Sequence, residues 1–103
     1  MTKRTATTVK FTGAMTVDGI RSARRQLLAA LAEGDHVNVD CSGVEEADAT
    51  FIRVLLAAHV GAASAGKTVR LASPAEGALR ATVERTGFAG DSASAERRFW
   101  DAE

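Results

Sequence analysis

The residues able to do chemistry in this chain are few, and most are placed where chemistry is poorly served. The best-placed hydroxyl is Thr50. It follows Asp48 and Ala49 at a predicted helix start, with Glu45 and Glu46 just upstream. Nothing in that spacing positions the three carboxylates as a general acid and base. Asp48 and Thr50 are also ordinary residues for a helix start, and Asp48 alone can serve as its cap. His36, Asp40 and Cys41 fall on one predicted strand, where neighbouring side chains point to opposite faces, so they do not converge on a metal. Cys41 is the sole cysteine. It cannot form an intrachain disulfide, and it reads as a small buried core residue. His59 lies at the edge of a helix's apolar side, where packing and a hydrogen bond account for it better than catalysis does. Gly-rich phosphate loops and a supported Ser–His–Asp signature are absent. Arg21, Arg24 and Arg25 form a local basic patch that reads as a solvated helix face. No catalytic residue, cofactor or metal is expected.

The elements that must position these residues alternate between strand and helix. Thr7–Thr12 (Thr-Thr-Val-Lys-Phe-Thr) has the period of a strand with one buried face, and Ala14-Met15 after Gly13 reads as a short second strand beyond a turn. Thr16 can cap a helix running to about Ala32. Its inward face is Ile20, Ala23, Leu27, Ala30 and Leu31, and Gly34 follows in the place where a left-handed cap is usual. His36–Cys41 is a strand with Val37, Val39 and Cys41 on one face, followed by a loop, Ser42–Ala47. A second helix spans about Ala49–Ala65 and stops at Gly66, and Thr68–Ala72 is a further strand. Ser73-Pro74-Ala75-Glu76 combines a capping box with a proline at the first helical position, predicting a third helix from there to Gly87. Beyond Gly90, Phe99 and Trp100 are expected either to pack a short terminal helix or to lie on a frayed tail. The pattern predicts an α/β fold, helices against a mixed sheet of about four or five strands, in one domain over 1–103 with its core at about 7–88 and a tail at 89–103.

Bulk properties bound the function classes. At 103 residues the chain can bury one core and leaves little room for a deep catalytic cleft. Its 13 basic and 13 acidic residues cancel, which argues against general attraction to nucleic acid or anionic membrane. The polar start lacks a secretory apolar stretch, and no segment approaches the roughly 20 apolar residues of a membrane span. The cytoplasm is therefore the expected location.

The segment Val37–Gly66 (VNVDCSGVEEADATFIRVLLAAHVGAASAG) resembles the centre of the STAS family, the sulfate-transporter and anti-sigma-factor-antagonist domains. In that family a strand ends in Asp, a Ser-Gly-Val-like turn follows, and an Asp-Ser-Ser/Thr-Gly motif opens a leucine-rich helix closed by glycine. Asp40, Ser42-Gly43-Val44, Asp48-Ala49-Thr50, Leu55-Leu56, His59 and Gly66 stand at the matching places. The strand Thr68–Ala72, Ser73-Pro74 and Thr86-Gly87-Phe88 continue the family's order, so the resemblance covers about Thr7 to Phe88. Two positions depart from it. The first motif serine is Ala49 and the following glycine is Phe51, which marks a divergent branch and leaves Thr50 as the one motif hydroxyl.

The resemblance implies a non-enzymatic partner switch in which a kinase phosphorylates Thr50 and a phosphatase resets it. The expected partner is an anti-sigma factor with serine/threonine kinase activity, or a protein of a sensory or chemotaxis system. A phosphate adds about −1.5 to −2 charges, which the free N–H groups of a helix start tolerate and a docked partner need not. On the helical wheel of the second helix, Phe51, Ile52, Leu55 and Ala62 share the core side. The other side carries Arg53 and Ser64 but also Val54, Ala57, Val60 and Gly61, unusually apolar for a solvent face. Asp48, Ala49, Thr50, Phe51, Arg53, Val54, Ala57 and Val60 are therefore the expected partner-binding residues. The bland reading of that face is burial beneath the C-terminal aromatics. The alternative function is a constitutive subunit docked on a transporter ATPase or other assembly, without phosphorylation.

Overall fold

The computed structural model describes residues 6–87 and 95–102. Its elements run β1 (Ala6–Met15), α1 (Val17–Glu33), β2 (His36–Ala47), α2 (Ala49–Ser64), β3 (Thr68–Leu71), α3 (Gly77–Thr86) and α4 (Ala95–Trp100). The expected α/β architecture is present, with strands and helices in the expected order. The strand count is a correction: among the described residues the sheet has three strands, in the order β1-β2-β3, and both pairings are parallel. Phe88, placed last in the family's order, lies outside the described residues, as do positions 89–94 of the expected tail.

The missing strand has a physical cause. Ala14-Met15 does not turn back after Gly13. Gly13 takes a positive φ of 74° inside β1, and the strand continues, pairing Gly13 with Val44 and Met15 with Ala47. The partner therefore cannot be a loop at Ser42–Ala47, and β2 runs on to Ala47. It does so by bulging twice. Between the pairs Lys10–Asp40 and Thr12–Gly43, β2 uses one residue more than β1, and it does so again between Gly13–Val44 and Ala14–Glu46. The first bulge shifts the side-chain phase. Val37 and Val39 are buried before it, Val44 after it, and Cys41 between them is only half-buried. The bulge is held locally by Asp40, whose Oδ1 accepts from the Ser42 N–H (2.9 Å) and the Ser42 hydroxyl (2.7 Å). Gly43 lies against β1: a Cβ there would stand 2.8 Å from Thr12 Cγ2, so the Thr12 side chain would have to shift.

The sheet has one covered face. Val9, Val39 and Leu71 are in register across the three strands, as are Val37 and Val69, and all are buried. The opposite face carries Thr8, Lys10 and Arg70, exposed to solvent. Parallel sheets are usually covered on both sides. Here the bare side is polar, so it carries no apolar cost. The helices supply the other half of the core: Ala23, Leu27 and Ala30 from α1, Phe51, Ile52, Leu55 and Ala62 from α2, and Leu79 and Val83 from α3. Phe51 meets Phe11 edge-on at 5.4 Å.

Two helix boundaries differ from expectation. Gly34 closes α1 in an extended conformation (φ −157°) rather than a left-handed one, because the chain passes straight into β2 and Asp35 O accepts from the Thr68 N–H (2.8 Å). Helix α3 begins at Gly77 instead of Pro74. Ala75 is buried and its N–H donates to Trp100 O (2.8 Å), while its carbonyl accepts from Arg80 Nε (3.0 Å). These contacts hold Ser73–Glu76 out of the helix and override the local capping signal.

The terminal aromatics form a helix, α4, rather than a frayed tail. Trp100 is fully buried against Phe99 (4.9 Å, edge-on), and Arg80 pairs with Asp101 at 2.9 Å. That partly exposed ion pair contributes about 0–1 kcal/mol, so the aromatic burial does most of the docking. Trp100→Ala should therefore lower unfolding stability by about 3–5 kcal/mol, read from urea denaturation followed by circular dichroism. A loss below about 1 kcal/mol would show that α4 is not part of the core.

Candidate functional site

The junction between β2 and α2 fixes where the motif Asp48-Ala49-Thr50 stands. Met15 O accepts from the Asp48 N–H (3.3 Å), and Ala47 O accepts from the Thr82 hydroxyl of α3 (3.0 Å). Asp48 is the N-cap of α2: its extended backbone and its Oδ1, which accepts from the Phe51 N–H at 3.1 Å, satisfy one of the helix's free donors. The cap is thus the carboxylate, and Thr50, two residues in, is left with its side chain directed elsewhere.

Thr50 lines a groove of about 750 Å³ between α1 and α2. One wall is the α1 row Arg24, Leu28 and Ala32; the other is the α2 row Arg53, Ala57 and Gly61, continued by Ala65 at the helix's C-cap. Each is a row of residues four apart, the natural ridge of a helix surface. The floor is formed by Leu27, Leu31, Val54, Ala58 and Ala62. At the far end from Thr50, Lys67 Nζ donates to Leu31 O. Leu28 is 58% exposed on the groove wall, and Val60 is 63% exposed on the outer shoulder of α2. The helix layer therefore carries the exposed apolar surface that the bare sheet face lacks.

Of the eight residues expected to meet a partner, Thr50, Arg53, Val54 and Ala57 line the groove. Asp48 and Ala49 are half-buried at the helix start, outside the lining, and Val60 is exposed beside it. Phe51 is a correction: it is fully buried, with its ring on Phe11, so it belongs to the core and cannot present a surface. The expected core side of α2, Phe51, Ile52, Leu55 and Ala62, is the buried set in the structure. The groove is not covered by the terminal aromatics. Phe99 packs instead on His59 (4.7 Å), whose Nδ1 is 2.9 Å from Val69 O. His59 is a packed, hydrogen-bonded histidine, as its place in the sequence suggested. The reading missed the other wall. Arg24, assigned to a solvated patch, and Leu28 complete the site from α1, and the signal available was Leu28 itself, an apolar residue on an otherwise basic face.

The acid–base chemistry lies elsewhere. Asp40 is held below the usual carboxylate range, first by the Ser42 hydroxyl and then by the Ser42 N–H. Cys41 is pushed up to about 12, by burial and then by the neighbouring Asp40 charge. It is a thiol at neutral pH, not a nucleophile. No group of three or more His, Cys, Asp or Glu able to hold a metal ion occurs among the described residues. No helix among them is long and apolar enough to cross a membrane.

The order of strand, turn, capped motif and glycine-closed helix is the one the family resemblance implied. Residues 2–93 match the family model described as Mlab, STAS domain. The chain belongs to the STAS domain family. No curated protein matches it. Membership supports a regulatory or protein-interaction module, and STAS domains are generally non-enzymatic.

Two measurements follow from this geometry. Asp48→Ala should cost about 1 kcal/mol through loss of the cap, while Thr50→Ala should stay within about 0.5 kcal/mol. The reverse order in urea denaturation would make Thr50 the cap. The second concerns Cys41. Its unfolded thiol ionises from about 9, whereas the native one holds its proton to about 12. Above pH 9 the unfolded state binds fewer protons, so stability is full below that pH and falls as pH rises, by at most about 1.4 kcal/mol per pH unit. Cys41→Ala should flatten that slope between pH 9 and 11. An unchanged slope would place the titration elsewhere.

Proposed function

We propose that this STAS domain is a non-enzymatic partner switch, with the α1–α2 groove as its docking surface and Thr50 as the residue whose phosphorylation sets its state. The observation that carries this reading is the coincidence of two features: the motif hydroxyl is spared from capping by Asp48, and it lines a groove that also holds the exposed Leu28. A phosphate there would sit in the first turn of α2, where free N–H groups and the helix dipole tolerate negative charge. A partner seated in the groove would have to desolvate that charge beside Asp48. The switch then changes binding without unfolding the domain. The partner class that fits is an anti-sigma factor with kinase activity or a sensory-system protein, acting in the cytoplasm.

A second reading is favoured by the groove being complete without any modification. In it the domain is a constitutive subunit, docked through the same surface on a transporter ATPase or other assembly, and the Thr50 hydroxyl is incidental.

Affinity capture of wild type, Thr50→Glu and Thr50→Ala from the native host, with mass spectrometry of bait and prey, separates the two. The switch predicts phosphate on Thr50 of the wild-type bait and loss of the partner from Thr50→Glu, with that variant's thermal stability near wild type. If all three baits hold the same partner and carry no phosphate, the constitutive reading replaces it.

A further inference from the structure

Two helix starts compete at α3. Ser73-Pro74-Ala75-Glu76 carries a capping box with proline at the first helical position, yet the helix begins only at Gly77. We propose that α4 is a latch that holds α3 in this shortened form, and that release of α4 lets α3 extend back to Pro74 with Ser73 as its cap.

The start that α3 uses is a poor one. Glu76 at its N-cap makes no side-chain capping bond, and the backbone bond from Arg80 N–H to Glu76 O is 3.3 Å long. Gly77 takes a left-handed φ of 55°. A residue in that conformation cannot continue a right-handed helix, so Gly77 is where the two forms part. What holds the short form comes from α4. Trp100 O accepts from the Ala75 N–H (2.8 Å), while Arg80 donates from Nε to Ala75 O (3.0 Å) and from Nη2 to Asp101 (2.9 Å). Arg80 thus grips the unwound segment and the end of α4 together. In a helix starting at Pro74, the Ala75 carbonyl points along the axis to the Leu79 N–H and its own N–H faces the Ser73 cap. Ala75 cannot hold both arrangements. Helix α4 has six residues, too few to stand as a helix without its contacts. Its docking rests on the buried rings of Phe99 and Trp100, the first of them against His59. The molecule therefore carries a two-state element: latch docked with α3 short, or latch free with α3 long and its capping box formed. His59 is not among the groove-lining residues, so the latch acts on a part of α2 apart from the groove.

The test is NMR of the full chain, reading backbone chemical shifts and amide hydrogen exchange. Gly77→Ala disfavours the left-handed form and favours the helical one, with open space for the added Cβ. It should give residues 73–76 helical shifts and speed exchange of the Phe99 and Trp100 amides about 10-fold or more, well beyond any change at Leu55 of α2. Trp100 is the sole tryptophan, so fluorescence emission should shift to the red in the same variant. Ser73→Ala in the Gly77→Ala background removes the cap of the long form and should return these readouts toward wild type. From the other side, Trp100→Ala should turn residues 73–76 helical while the shifts of α2 stay native. Helical shifts at residues 73–76 with α4 exchange unchanged would separate the two events and overturn the latch. So would wild-type shifts at residues 73–76 in either single variant, or equal acceleration at Leu55 and Trp100. Loss of the folded spectrum in both Gly77→Ala and Trp100→Ala would overturn it too, because short α3 would then be the domain's only folded form.

Discussion

The site depends on the tie at the end of β2. Ala47 offers its carbonyl to Thr82, Asp48 offers its N–H to Met15, and the Asp48 carboxylate turns inward to Phe51 N–H. Three elements, β1, α3 and α2, thus meet at two consecutive residues. The direction in which α2 leaves the sheet follows from that meeting. So does the side of α2 that faces α1, because Phe51 must enter the core beside Phe11 while Thr50, one residue earlier and about 100° away on the helix, faces the groove. The two bulges in β2 absorb the extra residues between Asp40 and Ala47 and bring Asp48 to the strand end opposite the end of β1.

The two surfaces of the molecule differ in character, and the contrast supports the proposed docking surface. The bare face of the sheet carries threonines, Lys10 and Arg70, so water satisfies it. The α1–α2 face carries Leu28, Val54, Ala57 and Gly61 around an open groove, with Arg24, Arg53 and Lys67 among its lining. Exposed apolar surface of this kind is one ground for the docking proposed at the groove. Small residues on α2 serve both ends. Ala62 allows close packing inside the core, and Ala57 and Gly61 keep the channel open outside it.

Most of the fold was legible in the sequence because helices announce themselves through period and punctuation. The core side of α2 was read correctly from its wheel, and Gly66 and Gly87 mark its end and that of α3, each with positive φ. What escaped were features set by distant partners. The continuation of β2 past Ser42 depends on β1 staying in register through a glycine with positive φ, and alternation is lost at a bulge. The late start of α3 depends on a hydrogen bond to Trp100, 25 residues away in sequence, which defeats a locally persuasive capping box. The groove escaped in part for a similar reason. A single helical wheel shows one wall of a channel, and the second wall lies on a helix whose outward face looked merely basic.

Thr50 shows why stability and binding can be set separately at such a site. Its position in the first turn gives negative charge a favourable place on the helix, worth a few tenths to about 1 kcal/mol, and Asp48 already holds the cap. The fold therefore has no stake in whether the hydroxyl is modified. The groove does, because whatever fills it must cover that position with low-dielectric material, where an unpaired charge costs several times more than it does in water. One residue lies on the boundary between a surface that is indifferent to charge and a ligand that is not. The proposed switch at Thr50 needs that asymmetry, and the placement of a cap two residues away supplies it.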